Sequence, residues 1–111
     1  MLNSKYANQR IYTTNVNVNV TVSSAAYIVK CGTVISAYIP FTVNSSGIAS
    51  WGVICGISDV SSVITQAISL TNNAMRKVDH NIYLEGAGNL VVPDGLPEGS
   101  YTATFTTIKV S

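Results

Sequence analysis

Residues 27–43 read YIVKCGTVISAYIPFTV, two apolar runs on either side of Gly32. Glycine tolerates the positive φ that a tight turn demands, so Tyr27–Cys31 and Thr33–Val43 are expected to fold back as a hairpin. β-branched and aromatic residues fill both arms, a composition that suits a pleated, half-buried surface. Pro40 stands inside the second arm without an N–H for a ladder, which predicts an edge strand or a bulge there.

Upstream, residues 15–22 read NVNVNVTV. Val16, Val18, Val20 and Val22 alternate with Asn15, Asn17, Asn19 and Thr21, a strict period of two that predicts a half-buried strand with its valines inward. Asparagine is a poor strand former, so Asn15, Asn17 and Asn19 are expected to hydrogen-bond to protein rather than stand free. Residues 1–10 read as a lead-in from the side of a stalk.

Downstream, Asn44-Ser45-Ser46-Gly47 is a loop by composition, and Ser50–Ile57 (SWGVICGI) is a further strand. Two readings fit Ser58–Leu70. Val60, Val63, Ile64, Ala67 and Ile68 match a helical stripe with Ser58 or Asp59 as N-cap. The dominance of Val, Ile, Thr and Ser favours a strand over Val63–Leu70. Thr71-Asn72-Asn73 is a loop, Lys77–Glu85 a strand, Gly86–Asn89 a turn and Leu90–Val92 a short strand. Pro93-Asp94-Gly95 and Pro97-Glu98-Gly99 mark two close turns before a last strand, Ser100–Val110. The chain therefore reads as one all-β domain over residues 1–111, a small antiparallel β-sandwich or jelly roll of eight or nine strands. At 111 residues it hides enough surface for one core without metal or disulfide.

Six Lys/Arg and five Asp/Glu make only 10% of the chain charged, against a usual ~25%. From Ile11 to Ser58 the only charge is Lys30. A domain so poor in charge is expected to cover part of its surface with copies of itself. The scattered basic residues form no stripe, which speaks against nucleic acid as a partner. No apolar run is long enough for a membrane helix, so no membrane insertion is expected.

Chemistry is equally sparse. The single histidine, His80, has no Cys or acid at metal-ligand spacing, so neither metal nor cofactor is expected. Asp79 and His80 are adjacent on a strand and point to opposite faces, which disfavours a base and its orienting partner. Asp94 and Glu98 are explained by their turns. No nucleophile elbow or phosphate loop occurs, and the reading is not an enzyme. Cys31 and Cys55 sit in apolar runs and read as reduced core thiols.

From Tyr27 onward, YIVKCGTVISAYIPFTVNSSGIASWGVI and GNLVVPDGLPEGSYTATFTTIKV follow an order of features similar to a known family. Lys30-x-Gly32, Phe41-Thr42, Trp51, Gly88-Asn89-Leu90 and Leu96-Pro97-Glu98-Gly99 carry the likeness. In that order the chain resembles the C-terminal receptor-binding head or tip domains of phage tail-fibre and baseplate proteins of Gram-positive hosts. Ser58–Arg76 departs from the Leu-Pro-rich stretch such domains show. The resemblance implies a homotrimer, a place in the virion as a tail or head fibre, and binding of a host-surface saccharide or teichoic acid. A structural head-fibre or decoration domain would share these features. A secreted or cell-surface bacterial lectin or adhesin is the third reading, and would be expected to join Cys31 to Cys55.

Saccharide sites pair an aromatic ring for stacking with amides for hydroxyls. Trp51 is the only tryptophan and follows the polar Asn44–Ser50 segment, although a tryptophan there also fits the core. Asn72, Asn73 and Arg76 supply donors on another predicted loop, and Arg76 suits an anionic phosphate. These four are the candidate ligand residues.

Overall fold

The hairpin forms as read. Strands β4 (Tyr27–Cys31) and β5 (Val34–Val43) pair with Cys31 opposite Val34 and Tyr27 opposite Tyr38, leaving a two-residue turn. Gly32 takes φ 62 at its first position, the requirement of a type II′ hairpin turn. The computed structural model describes residues 9–10, 13–58, 66–72 and 82–108.

Two antiparallel sheets enclose the core. The first holds β1 (Gln9–Arg10), β4, β5, β11 (Gly99–Ile108) and β8 (Ser69–Asn72) in that order, with β3 (Val20–Val22) also on β5. The second runs β2 (Thr13–Thr14), β6 (Gly52–Ile57), β10 (Asn89–Val92), β9 (Tyr83–Leu84) and β7 (Gln66–Ala67). The described residues thus hold eleven strands rather than eight or nine, because several are two-residue pairings too short to read as periodicity. Gln9 and Arg10, the end of the supposed lead-in, pair with Lys30 and Val29 and belong to the sheet. Between the sheets lie Ile35, Ile39 and Phe41 from β5, Ile54 and Cys55 from β6, and Leu84, Leu90 and Val92, each at most 2% exposed.

The backbone of the fold is the β5–β11 ladder, an unbroken register from Gly99 opposite Val43 to Ile108 opposite Val34. Alternation is clean on both strands, with Ile35, Ala37, Ile39, Phe41 and Val43 buried and Val34, Ser36, Tyr38 and Thr42 exposed. Pro40 is therefore neither on an edge nor in a bulge. On its other side β5 has two partners end to end: β4 stops at Tyr38 and β3 begins at Phe41. The Pro40 carbonyl accepts a hydrogen bond from Ser23 N at 2.9 Å on that side. A strand residue points its N–H and C=O the same way, so the missing donor falls in the gap between β4 and β3.

Residues 15–22 depart furthest from their pattern. Only Val20–Val22 is strand. Val20 is buried and Val22 packs on the core, but Val16 is 38% and Val18 94% exposed. Asn15 turns the chain at φ 48, a left-handed conformation that asparagine tolerates. Asn17 then anchors the crossing between sheets: its N–H donates to Ile54 O at 3.0 Å and its Nδ2 to Val53 O at 2.9 Å. Asn19 N donates to Asn17 Oδ1 at 2.8 Å, and Asn19 Nδ2 to Gly47 O at 3.0 Å. Asn17 and Asn19 do contact protein, as hooks on a loop rather than a strand face. Val18→Asp, which a buried strand would not tolerate, is accordingly expected to leave the thermal midpoint unchanged within about 0.5 kcal/mol of stability. A large loss would place Val18 in an interface.

In Ser58–Leu70 the described part is strand from Gln66, broken only at Ile68, and residues 59–65 lie outside the described residues. Thr71 and Asn72 are not loop but the end of β8, opposite Thr102 and Tyr101. Of the predicted Lys77–Glu85 strand, Tyr83–Leu84 is seen, and residues 73–81 lie outside the described residues.

Candidate functional site

Three connections between the sheets interlock at the end of the sandwich where Val43 meets Gly99. They are residues 15–19, 44–51 and 93–98. Asn44 N donates to Asn19 O at 2.9 Å, and Asn44 Oδ1 accepts from Ser46 N at 2.9 Å, the side-chain turn expected of Asn at this place. Ile48 and Leu96 exchange backbone hydrogen bonds of 2.8 and 2.9 Å and are both buried. Tyr101 Oη donates to Pro97 O at 2.9 Å, pinning the last turn to β11. Glycine permits this closeness: a Cβ on Gly52 would lie 2.4 Å from Ile48 Cγ2, and one on Gly95 2.5 Å from Ile48 O.

Trp51 stands on this cluster. Gly52 N donates to Ala49 O at 2.9 Å, closing a turn with Trp51 at its third position and φ 62. That is the arrangement of a type II turn, where glycine or asparagine is the ordinary choice. A bulky residue held at positive φ costs on the order of 1–3 kcal/mol. The backbone is held there by hydrogen bonds from Trp51 N to Val92 O at 2.8 Å and Pro93 O at 3.2 Å. The residue is 70% exposed. Trp51 is thus neither core nor strand; it is an aromatic presented on a strained, hydrogen-bonded turn.

Asn72 lies elsewhere, closing β8 on the first sheet, whereas Trp51 leads into the second. Asn73 and Arg76 lie outside the described residues. The turn beside Trp51 carries Asp94, and Glu98 follows on the next, both exposed. These carboxylates accept hydrogen bonds from hydroxyls and repel phosphate.

Among the described residues no three His, Cys, Asp or Glu side chains group as metal ligands. No disulfide joins the cysteines: Cys55 is buried in β6, while Cys31 is only half-buried at the end of β4, less a core residue than its sequence context suggests. Burial pushes the Cys55 thiol up to about 12, which leaves it protonated and inert at neutral pH. What the sequence reading missed altogether is the outer face of the first sheet. Tyr27 and Tyr38, 51% and 48% exposed, stand side by side across the hairpin. Comparison with known proteins finds no matching family model, no matching curated protein and no matching solved structure.

Proposed function

We propose that the chain is a non-enzymatic interaction domain, the tip of a virion fibre, that binds a host cell-surface saccharide and works as a homotrimer. The observation that carries this reading is Trp51, exposed at 70% and held at φ 62. A fold selected for stability alone would place glycine there and keep tryptophan inside. The motif order from Lys30-x-Gly32 to Leu96–Gly99 supports the viral assignment, and the scarcity of charge supports assembly. Cys31 and Cys55 stand in different sheets with no bond between them, which weighs against a secreted adhesin braced by their disulfide.

Whole-cell binding by the purified chain is the test. Trp51→Ala is expected to lower binding tenfold or more, about the loss typical of an aromatic hot spot, with circular dichroism and melting temperature kept. Undiminished binding by this variant would exclude Trp51 from the site, and absence of binding by the unaltered chain would favour a structural virion protein. Light scattering on the same samples is expected to read three copies of the 11.7 kDa chain, and a monomer would remove the trimer.

A further inference from the structure

The β5–β11 ladder sets its outward side chains in opposed pairs: Ser36 with Thr106, Tyr38 with Thr104, Pro40 with Thr102, and Thr42 with Ser100. Tyr27 joins from β4 beside Tyr38, and Thr21 from β3 beside Thr42. Two open grooves lie in line along this strip. One, of about 370 Å³, is lined by the two tyrosines, Val29, Ser36, Thr104 and Thr106. The other, of about 270 Å³, is lined by Thr21, Ser23, Pro40, Thr42, Ser100 and Thr102. From Ser36 to Thr42 the strand rises roughly 20 Å, long enough for a short oligosaccharide.

We infer that this strip is a binding site for a neutral oligosaccharide laid along β5 and β11. Pyranose rings have C–H faces and hydroxyl edges. The half-exposed rings of Tyr27 and Tyr38 match the faces, since tyrosine offers apolar area with a polar end. Serine and threonine hydroxyls donate and accept, so they match hydroxyl edges in either sense. Ser36 Oγ and Thr106 Oγ1 stand 3.5 Å apart as such a pair. Among the described residues none that lines either groove is charged, so they give an anionic ligand nothing to pair with. A second copy of the chain is the competing occupant, and assembly mass separates it from a sugar.

The inference rests on the saccharide reading above but places a site apart from Trp51. Titration calorimetry of the full chain against neutral tetrasaccharides (maltotetraose, cellotetraose and tetra-N-acetylchitotetraose) and an anionic control (tetragalacturonate) tests it. At least one neutral tetrasaccharide is expected to bind, and more tightly than its monosaccharide. Tyr38→Ala is expected to weaken that binding roughly tenfold, the loss of one aromatic contact. Thr104→Val, isosteric and exposed, is expected to weaken it with the fold untouched, while Val18→Asp, exposed and outside the lining of both grooves, leaves it intact. Binding lost with Trp51→Ala but kept in both strip variants would overturn the strip and leave the saccharide reading standing. No binding by any neutral sugar, or binding of the anionic control alone, would overturn the strip, and the cell assay then decides the wider reading separately. A fall in assembly mass with Tyr38→Ala, at unchanged sugar affinity, would overturn it in favour of a second copy.

Discussion

Gly95→Ala is expected to cost about 3 kcal/mol or more, a large share of the ~5–15 kcal/mol that holds a domain of this size together. Gly95 sits at φ 72, which an L side chain rarely adopts. An added Cβ would lie 2.5 Å from Ile48 O and 3.2 Å from Ala49 C and Ser50 N. All three are backbone atoms, so no side-chain rotation relieves the clash. Ile48 O is also the acceptor for Leu96 N at 2.9 Å, so displacing it opens the bridge that joins two connections. Gly32→Ala is the control. It shares the positive φ, at 62, but a Cβ there meets nothing within 4 Å. Only the conformational penalty applies, about 1 kcal/mol. Urea unfolding of the two variants should differ by at least about 2 kcal/mol. Equal losses would show that the interlocked turns yield easily.

Phe41→Ala is expected to cost about 3–5 kcal/mol. Phe41 is 2% exposed in the middle of the sandwich. Its neighbours on the ladder are Val22 and Tyr101, and its ring meets that of Tyr101 at 5.7 Å and 31°. Truncation removes buried area and leaves a space that two ladder-bound strands are poorly able to close. The loss should spread to the turn at Pro97, since Tyr101 is the residue whose hydroxyl holds that carbonyl. Denaturant midpoints give the energy. Faster amide exchange of residues near Pro97 than near Gly32 would show the spread, and a loss below about 1.5 kcal/mol would mean the core refills.

The sandwich was legible wherever backbone hydrogen bonds do the organising. Gly32 punctuates two apolar arms, and the turn signals at Pro93–Gly95 and Pro97–Gly99 fall where the chain crosses between sheets. Residues 15–22 misled because period two records alternation, not what satisfies the polar groups. Asn17 and Asn19 meet backbone carbonyls with side-chain amides, so alternation persists while the chain leaves the sheet. Pro40 misled because a strand with two end-to-end neighbours has a gap that no local pattern reveals. The exposure of Trp51 was hidden for a related reason: φ is not written in composition, and an aromatic beside an apolar run counts toward the core. The Tyr27–Tyr38 pair was legible in principle. A two-residue turn at Gly32 and Thr33 fixes the register, and counting back from it sets these residues opposite each other.

The β5–β11 ladder has a temporal meaning as well. Its two strands are separated by 55 residues between Val43 and Gly99 and by more at the other end. Loop closure over such distances comes before any reward from pairing, which puts folding in the slow range of milliseconds to seconds typical of non-local β proteins. On the ribosome, β5 emerges long before β11. Until residue 108 is made, one side of a long strand with one apolar face offers unpaired backbone groups to any neighbouring chain. The sheet that organises the finished domain is thus the last to be secured during synthesis, and crowded nascent chains meet first through the half of it that is waiting.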